Sequence, residues 1–193
     1  MIRNIRVEVK SLDKVLDKFA NQLAAVGAGK ARVAMARAVN RAGDTTKTHV
    51  KRALVKQTSI KRATVDGAVK SRRAAQKGGG AVEYVIYASG SELPLIEFNP
   101  RQFSFGVRAK VWGRMQQFPS MFGAPGDNPN VISALGGHIF HRVSSSRLPI
   151  EKTYGPSIPK EMVLDQTRET FETVSMRELE KRLRHELGRM LGI

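Results

Sequence analysis

The apolar residues of this chain change period twice. Between Leu12 and Leu54 they recur at helical spacing, between Val82 and Val143 they alternate, and from Phe171 to Leu191 the helical spacing returns. Steps of three and four keep one face of a helix toward a core; steps of two do the same for a strand. Helices, then strands, then a helix is the order of an α+β protein: a mostly antiparallel sheet packed with N-terminal helices and a long C-terminal helix. The 193 residues suit one domain. It divides into a basic helical segment over 28–80, a strand- and loop-rich segment over 81–159 and a C-terminal helix over 160–193.

The local expectations follow from the same periods. Ile5, Val7 and Val9 alternate with Arg6, Glu8 and Lys10 as in a half-buried strand. Ser11 can cap a helix carrying Leu12, Val15, Leu16, Phe19, Leu23 and Val26, with Gly27 and Gly29 as stops. A second helix is expected from about Ala28 to Lys56. Its buried face would hold Met35, Ala38 or Val39, Ala42, Thr46, Val50 and Ala53 or Leu54. Gly43 costs a helix about 1 kcal/mol relative to Ala, so a kink or break is expected near Gly43-Asp44. Thr58 or Ser59 would cap a short helix through Ile60 to Asp66.

Ser71 to Gly80 is polar, basic and glycine-rich, and predicts a mobile loop. Strands are expected over Ala81–Ala88, over Leu93–Phe98 with a break at Pro94, and over Phe103–Trp112. The last would present Phe103, Phe105, Val107, Ala109 and Val111 on one face, with Trp112 half-buried. Ser120 to Asn130 is loop-like. Gly136-Gly137 predicts a hairpin turn between 131–135 and 138–143. Arg147 to Pro159 is punctuated by proline and expected to be extended. Beyond Lys160, Phe171, Val174, Leu179, Leu183, Leu187 and Met190 or Leu191 mark the stripe of a long helix.

Charge supplies the functional signal. Lys and Arg number 33 against 17 Asp and Glu, a net +16. Residues 28–80 alone hold 14 of the basic side chains and only Asp44 and Asp66 as acids, a net +12. A partner of negative charge is therefore sought at Arg37, Arg41, Lys51, Arg52, Lys56, Lys61, Arg62, Arg72 and Arg73. The blander alternative is that these charges keep the helices solvated. Aromatic residues are absent from 28–80, which argues against base stacking there. No recognition-helix or zinc-finger pattern appears, so base readout is not expected either. Contact with phosphate backbone, or with an acidic protein face, remains.

Catalytic constellations do not emerge. The chain has no cysteine, which excludes a disulfide framework, a thiolate zinc site and thiol catalysis. Gly27-Ala28-Gly29-Lys30 resembles the end of a phosphate loop, but Ala24 and Ala31 stand where that loop needs Gly and Ser or Thr. His138 and His141, three apart on a strand, point to opposite faces. Ser144-Ser145-Ser146 lacks a nucleophile elbow. No cofactor, no metal and no enzyme activity is expected. No stretch approaches the roughly 18 apolar residues of a membrane span, and no secretory signal precedes Val7, so neither membrane contact nor export is expected and synthesis in a cytoplasm is.

Several short runs together point to a family. They are Ala38-Val39-Asn40-Arg41, Lys51-Arg52-Ala53-Leu54-Val55, Ile60-Lys61-Arg62-Ala63-Thr64-Val65 and Gly136-Gly137-His138-Ile139-Phe140-His141-Arg142. The most specific is Leu148-Pro149-Ile150 leading to Gly155-Pro156-Ser157-Ile158-Pro159. With their order over 28–190, the chain resembles the minor tail protein Z family of phages and prophages, the tail-completion proteins of lambda-like phages. The resemblance implies a structural virion protein at the head-proximal end of a tail, made in a bacterial cytoplasm and assembled into the particle. It also implies a ring around the DNA channel, of six copies by tail symmetry, with other tail and neck proteins and packaged DNA as partners. It supplies no catalytic residue. Arg147, Leu148, Pro149, Ile150, Tyr154, Gly155, Pro156 and Pro159 are then the candidate assembly contacts. The alternative function is sequence-nonspecific nucleic-acid binding; another virion role, such as a connector or tail-tip component, also stays open.

Overall fold

A computed structural model describes residues 5–6, 19–76, 82–123 and 136–192. Its longest element is α2 (Ala28–Thr58), preceded by α1 (Ala20–Val26). The two meet at Gly27, whose φ of 82° suits only glycine without strain. Gly29 does not stop a helix; it lies in the first turn of α2. Alanine, the best helix former, recurs along α2 and makes its inner face thin. Ala34, Ala38 and Ala42 are buried there against Leu179, Leu183 and Leu187 of α5 (Asp165–Leu191), which runs antiparallel to α2. Phe19, beside α1, closes this core.

The second half of α2 serves a different core. Val50 and Leu54 pack with Ile60, with Val65 of α3 (Arg62–Ala68) and with the strands. Every strand pair among the described residues is antiparallel. Central β3 (Val85–Ala88) lies between β1 (Ile5–Arg6) and β2 (Val69–Arg72), with Val69 opposite Ala88 and Arg72 opposite Val85. β4 (Glu92–Pro94) leads into a 3-10 turn, Leu95–Phe98, so the expected Leu93–Phe98 strand splits at its proline. β5 (Arg101–Phe103), β6 (Gly106–Val111) and β7 (Arg114–Pro119) form a meander. β8 (Phe140–Arg142) pairs with β9 (Ile150–Lys152), and β10 (Tyr154–Ser157) returns to β4 before the short α4 (Ile158–Glu161). The fold is α+β, as the alternation of periods predicts.

Several local expectations give way. α2 passes Gly43 unbroken, and that glycine is a close contact: a Cβ there would lie 2.3 Å from Tyr84 Cγ. Ser59 ends α2 in the left-handed region, and α3 begins after Lys61 without a side-chain cap. Thr58 instead donates to the Leu54 carbonyl and accepts from the Ile60 amide. Ser71 and Arg72 belong to β2 rather than to a mobile loop, and Ala74 is buried. A polar stripe along α2 holds this stretch: Asn40 bonds Ala74 through both its amide and its carbonyl, Asp44 pairs with Arg73, and Lys47 donates to Ser71. Phe103 and Phe105 do not join the buried face of Val107, Ala109 and Val111, because a turn separates β5 from β6. Trp112 is exposed, and with Gly113 forms the two-residue β6–β7 turn, both at positive φ. Arg147–Pro159 is extended only as far as Ser157; Ile158 and Pro159 begin α4. The Ser11 cap, the helix before Phe19 and the 131–135 arm of the hairpin lie outside the described residues. Gly136 and Gly137 themselves have φ of 58° and 71°, the conformation that turn needs.

Candidate functional site

The nine cations singled out by sequence separate into two groups. Six have carboxylate partners within the chain. Arg41 reaches Glu186 at 3.2 Å, Lys51 and Arg62 both reach Asp66 at 2.9 Å, and Lys61 reaches Glu97 at 3.5 Å. Arg72 pairs with Glu83 and Arg73 with Asp44. Arg37, Arg52 and Lys56 have no carboxylate partner among the described residues.

Some of these pairs are structural. Glu186 is 1% exposed and is held between Arg41 of α2 and Arg189 of its own helix. A buried carboxylate is tolerated only with such partners, so Arg41 fastens α5 to α2. Asp66 is held below its ordinary carboxylate range by its hydrogen bond from Arg62 and then that from Lys51. Asp44 accepts from the Tyr84 hydroxyl at 2.7 Å and pairs with Arg73. Burial, together with the bond it donates to Asp44, pushes the Tyr84 phenol up to about 12. Arg73 thereby belongs to the clamp that holds β2 and its extension on α2.

A stronger basic surface lies where sequence counting averaged it away. No Asp or Glu occurs between Glu97 and Asp127, while Arg101, Arg108, Lys110 and Arg114 do. Over 81–150 the four acids outside this stretch mask the excess. The meander turns Val107, Ala109 and Val111 inward, so the alternate positions Arg108 and Lys110 face out. Register places Arg101 opposite Arg108 and Met115 opposite Lys110. Phe103 and Phe105 stack with centroids 5.4 Å apart, and the Arg108 guanidinium lies 5.0 Å and 5.7 Å from their centroids.

This outer face lines a groove of about 530 Å³. Lys61 and Glu97 form its other wall, so the groove joins the helical basic segment to the sheet. Met115 is 62% exposed beside it. The geometry suits contact with anionic groups carried on an apolar scaffold: cations for charge, rings and a thioether for surface. The β6–β7 turn is fixed against α2 at one end, where the Trp112 amide donates to the Thr58 carbonyl and the Gly113 amide to Ser59 Oγ. Trp112 Nε1 also donates to Glu161 at 2.8 Å.

The proline-rich segment also divides. Pro156 and Pro159 are buried within this chain, and a Cβ on Gly155 would lie 2.7 Å from the Phe98 ring. These three serve the chain's own packing. Ile150 is half-buried in β9. Arg147, Leu148, Pro149 and Tyr154 are exposed, Leu148 at 67%. Arg142 donates to the Arg147 carbonyl and lies over the Phe122 ring, which steadies the base of this loop.

The histidines are engaged separately: His138 with Lys152 at 3.1 Å and His141 with Thr153 at 3.2 Å. Among the described residues, no three His, Asp or Glu are grouped to hold a metal, and no helix is long and apolar enough to cross a membrane. No family model, curated protein or solved structure matches the chain.

Proposed function

We propose that this chain is a structural protein of a phage tail, acting in tail completion at the head-proximal end as a subunit of a ring around the DNA channel. The phage context rests on the sequence marks from Ala38 to Pro159. Its chemical part is supported by one observation above all: among the described residues, Lys61 joins Arg101, Arg108 and Lys110 around an open groove with Glu97 as the one carboxylate. Charge arranged this way attracts an anionic surface without positioning a reaction. Arg52 and Lys56 on α2, without a carboxylate partner among the described residues, add to the same character.

In a particle that carries the chain, replacing Arg52, Lys56 and Lys61 with Gln should leave the fold intact and reduce completed, infectious particles. Side-chain exposure predicts stability changes of about 0.5 kcal/mol or less per site. Normal particle yield with a normally folded variant would contradict the proposal.

Free, sequence-nonspecific nucleic-acid binding is the second reading, and the exposed Phe103–Phe105 stack beside Arg108 favours it. Its signature is duplex or single-strand binding by the isolated chain that falls with salt, by about 0.9 log units per log unit for each phosphate neutralised on duplex. Salt-independent or absent binding removes that reading.

A further inference from the structure

We infer that the groove over the β5–β7 sheet takes the acidic outer face of α5 from a second copy of this chain. This deepens the ring reading by naming the subunit contact. The sheet face is unpartnered: Arg101, Phe103, Lys110 and Met115 are all exposed. Its opposite in charge is present on the same chain. Asp165, Glu169, Glu172 and Met176 fall at i, i+4, i+7 and i+11 of α5, and all four are exposed. That spacing puts them in one stripe.

The stripe faces out for a reason visible in the packing. Thr167, Val174 and Glu178 take the buried side of the first half of α5. Arg168 lies beside the stripe and pairs with Glu172 at 2.9 Å, so the stripe keeps a net negative charge from Asp165 and Glu169. Asp165 and Glu169 have no cationic partner among the described residues.

The dimensions agree. Asp165 to Glu172 spans about 10 Å along a helix at 1.5 Å per residue. On the sheet, Arg108 and Lys110 stand about 7 Å apart along the strand, and Arg101 lies about 5 Å across from Arg108. Asp165 and Glu169, the two carboxylates not neutralised within the helix, stand about 6 Å apart along it and so match the spacing of Arg108 and Lys110. Each surface also carries an exposed methionine, Met115 at 62% and Met176 at 40%. Groove and stripe are different surfaces, so the contact can repeat head to tail; such contacts close into a ring when the rotation allows.

Duplex DNA is the rival occupant. A phosphate backbone would use the cations but not Met115, and would leave the acidic stripe without a role.

The test is a charge swap in the full chain, followed by sedimentation and light scattering. The groove variant is Arg101→Glu with Lys110→Glu; the stripe variant is Glu169→Lys with Glu172→Lys. Each alone should weaken self-association by about 100-fold, since like charges then face each other. Mixing the two variants, or combining all four changes in one chain, should restore it, which also proves that the variants fold. Wild-type association should weaken as salt rises. Assembly unchanged by either variant, failure of the swapped pair to reassociate, or a wild type that stays monomeric overturns the contact. So does a groove variant that loses duplex binding while its assembly state is unaltered. A restored dimer that goes no further keeps the contact and removes the ring.

Discussion

Single residues decide where α2 can accept neighbours. Gly43 sits mid-helix, where propensity favours Ala by about 1 kcal/mol. The Tyr84 ring occupies the space its Cβ would need, and the Asp44 bond holds that ring in place. Gly43→Ala is therefore expected to destabilise by about 1–3 kcal/mol, the usual result of overpacking. A denaturant midpoint shifted upward instead would show that Tyr84 moves aside freely. The same tyrosine sets an alkaline limit. Its phenol is raised from 10.0 to about 12, so the folded chain holds that proton more tightly than the unfolded chain. The stabilisation is complete below about pH 10 and is lost as pH rises through about 12. A melting-temperature profile of Tyr84→Phe should lack that alkaline decline. Asp66 acts in the opposite direction: its lowered pKa stabilises above the ordinary value of 3.8 and the contribution fades as pH falls through the folded value.

Between elements, the start of α5 depends on α2. Leu164 offers no side-chain cap. Gln57 supplies one from a distance: its Oε1 accepts from the Thr167 amide at 2.9 Å and from the Thr167 hydroxyl at 2.7 Å. Its amide donates to Glu161, which in turn accepts from Trp112. Gln57→Ala should cost about 1–3 kcal/mol, because Thr167 is fully buried and would be left unsatisfied. Hydrogen exchange should locate the loss at the first turns of α5; protection unchanged there would contradict this role.

That bond joins residues 110 apart, which is why no local pattern announces it. Helix existence, the Val107-Ala109-Val111 face and the Leu179-Leu183-Leu187 stripe were legible because burial writes a period into neighbouring residues. The fate of Ser71–Ala74 was not, since its order comes from Asn40, Asp44 and Lys47 across space. Trp112 misleads for a related reason. An aromatic after alternating residues suggests a continuing strand, but Gly113 fits a turn so close to α2 that a Cβ there would lie 3.1 Å from the Lys56 carbonyl. The basic segment was legible as charge and not as a surface: counting could not show which cations Asp44, Asp66, Glu97 and Glu186 consume. The sheet cations do have a sequence signal, the acid-free run from Phe98 to Gly126, but Glu83, Glu92, Glu97 and Asp127 around it hide the excess in the charge of 81–150 as a whole.

At the scale of the molecule, α2 spans both cores, with alanines against α5 in one half and Val50 and Leu54 against the strands in the other. The long helix pair thus carries the sheet and its cationic groove as one load on a shared strut. The chain thus presents surfaces of opposite sign on different elements, an arrangement that suits repeated contact between copies. The most direct test of the tail-completion account is a density map of intact particles that contain the chain. The account predicts copies arranged as a closed ring at the head-proximal end of the tail, with basic side chains turned toward DNA or an acidic neighbour. Particles whose neck holds no such ring, with the chain found only outside the virion, would contradict it.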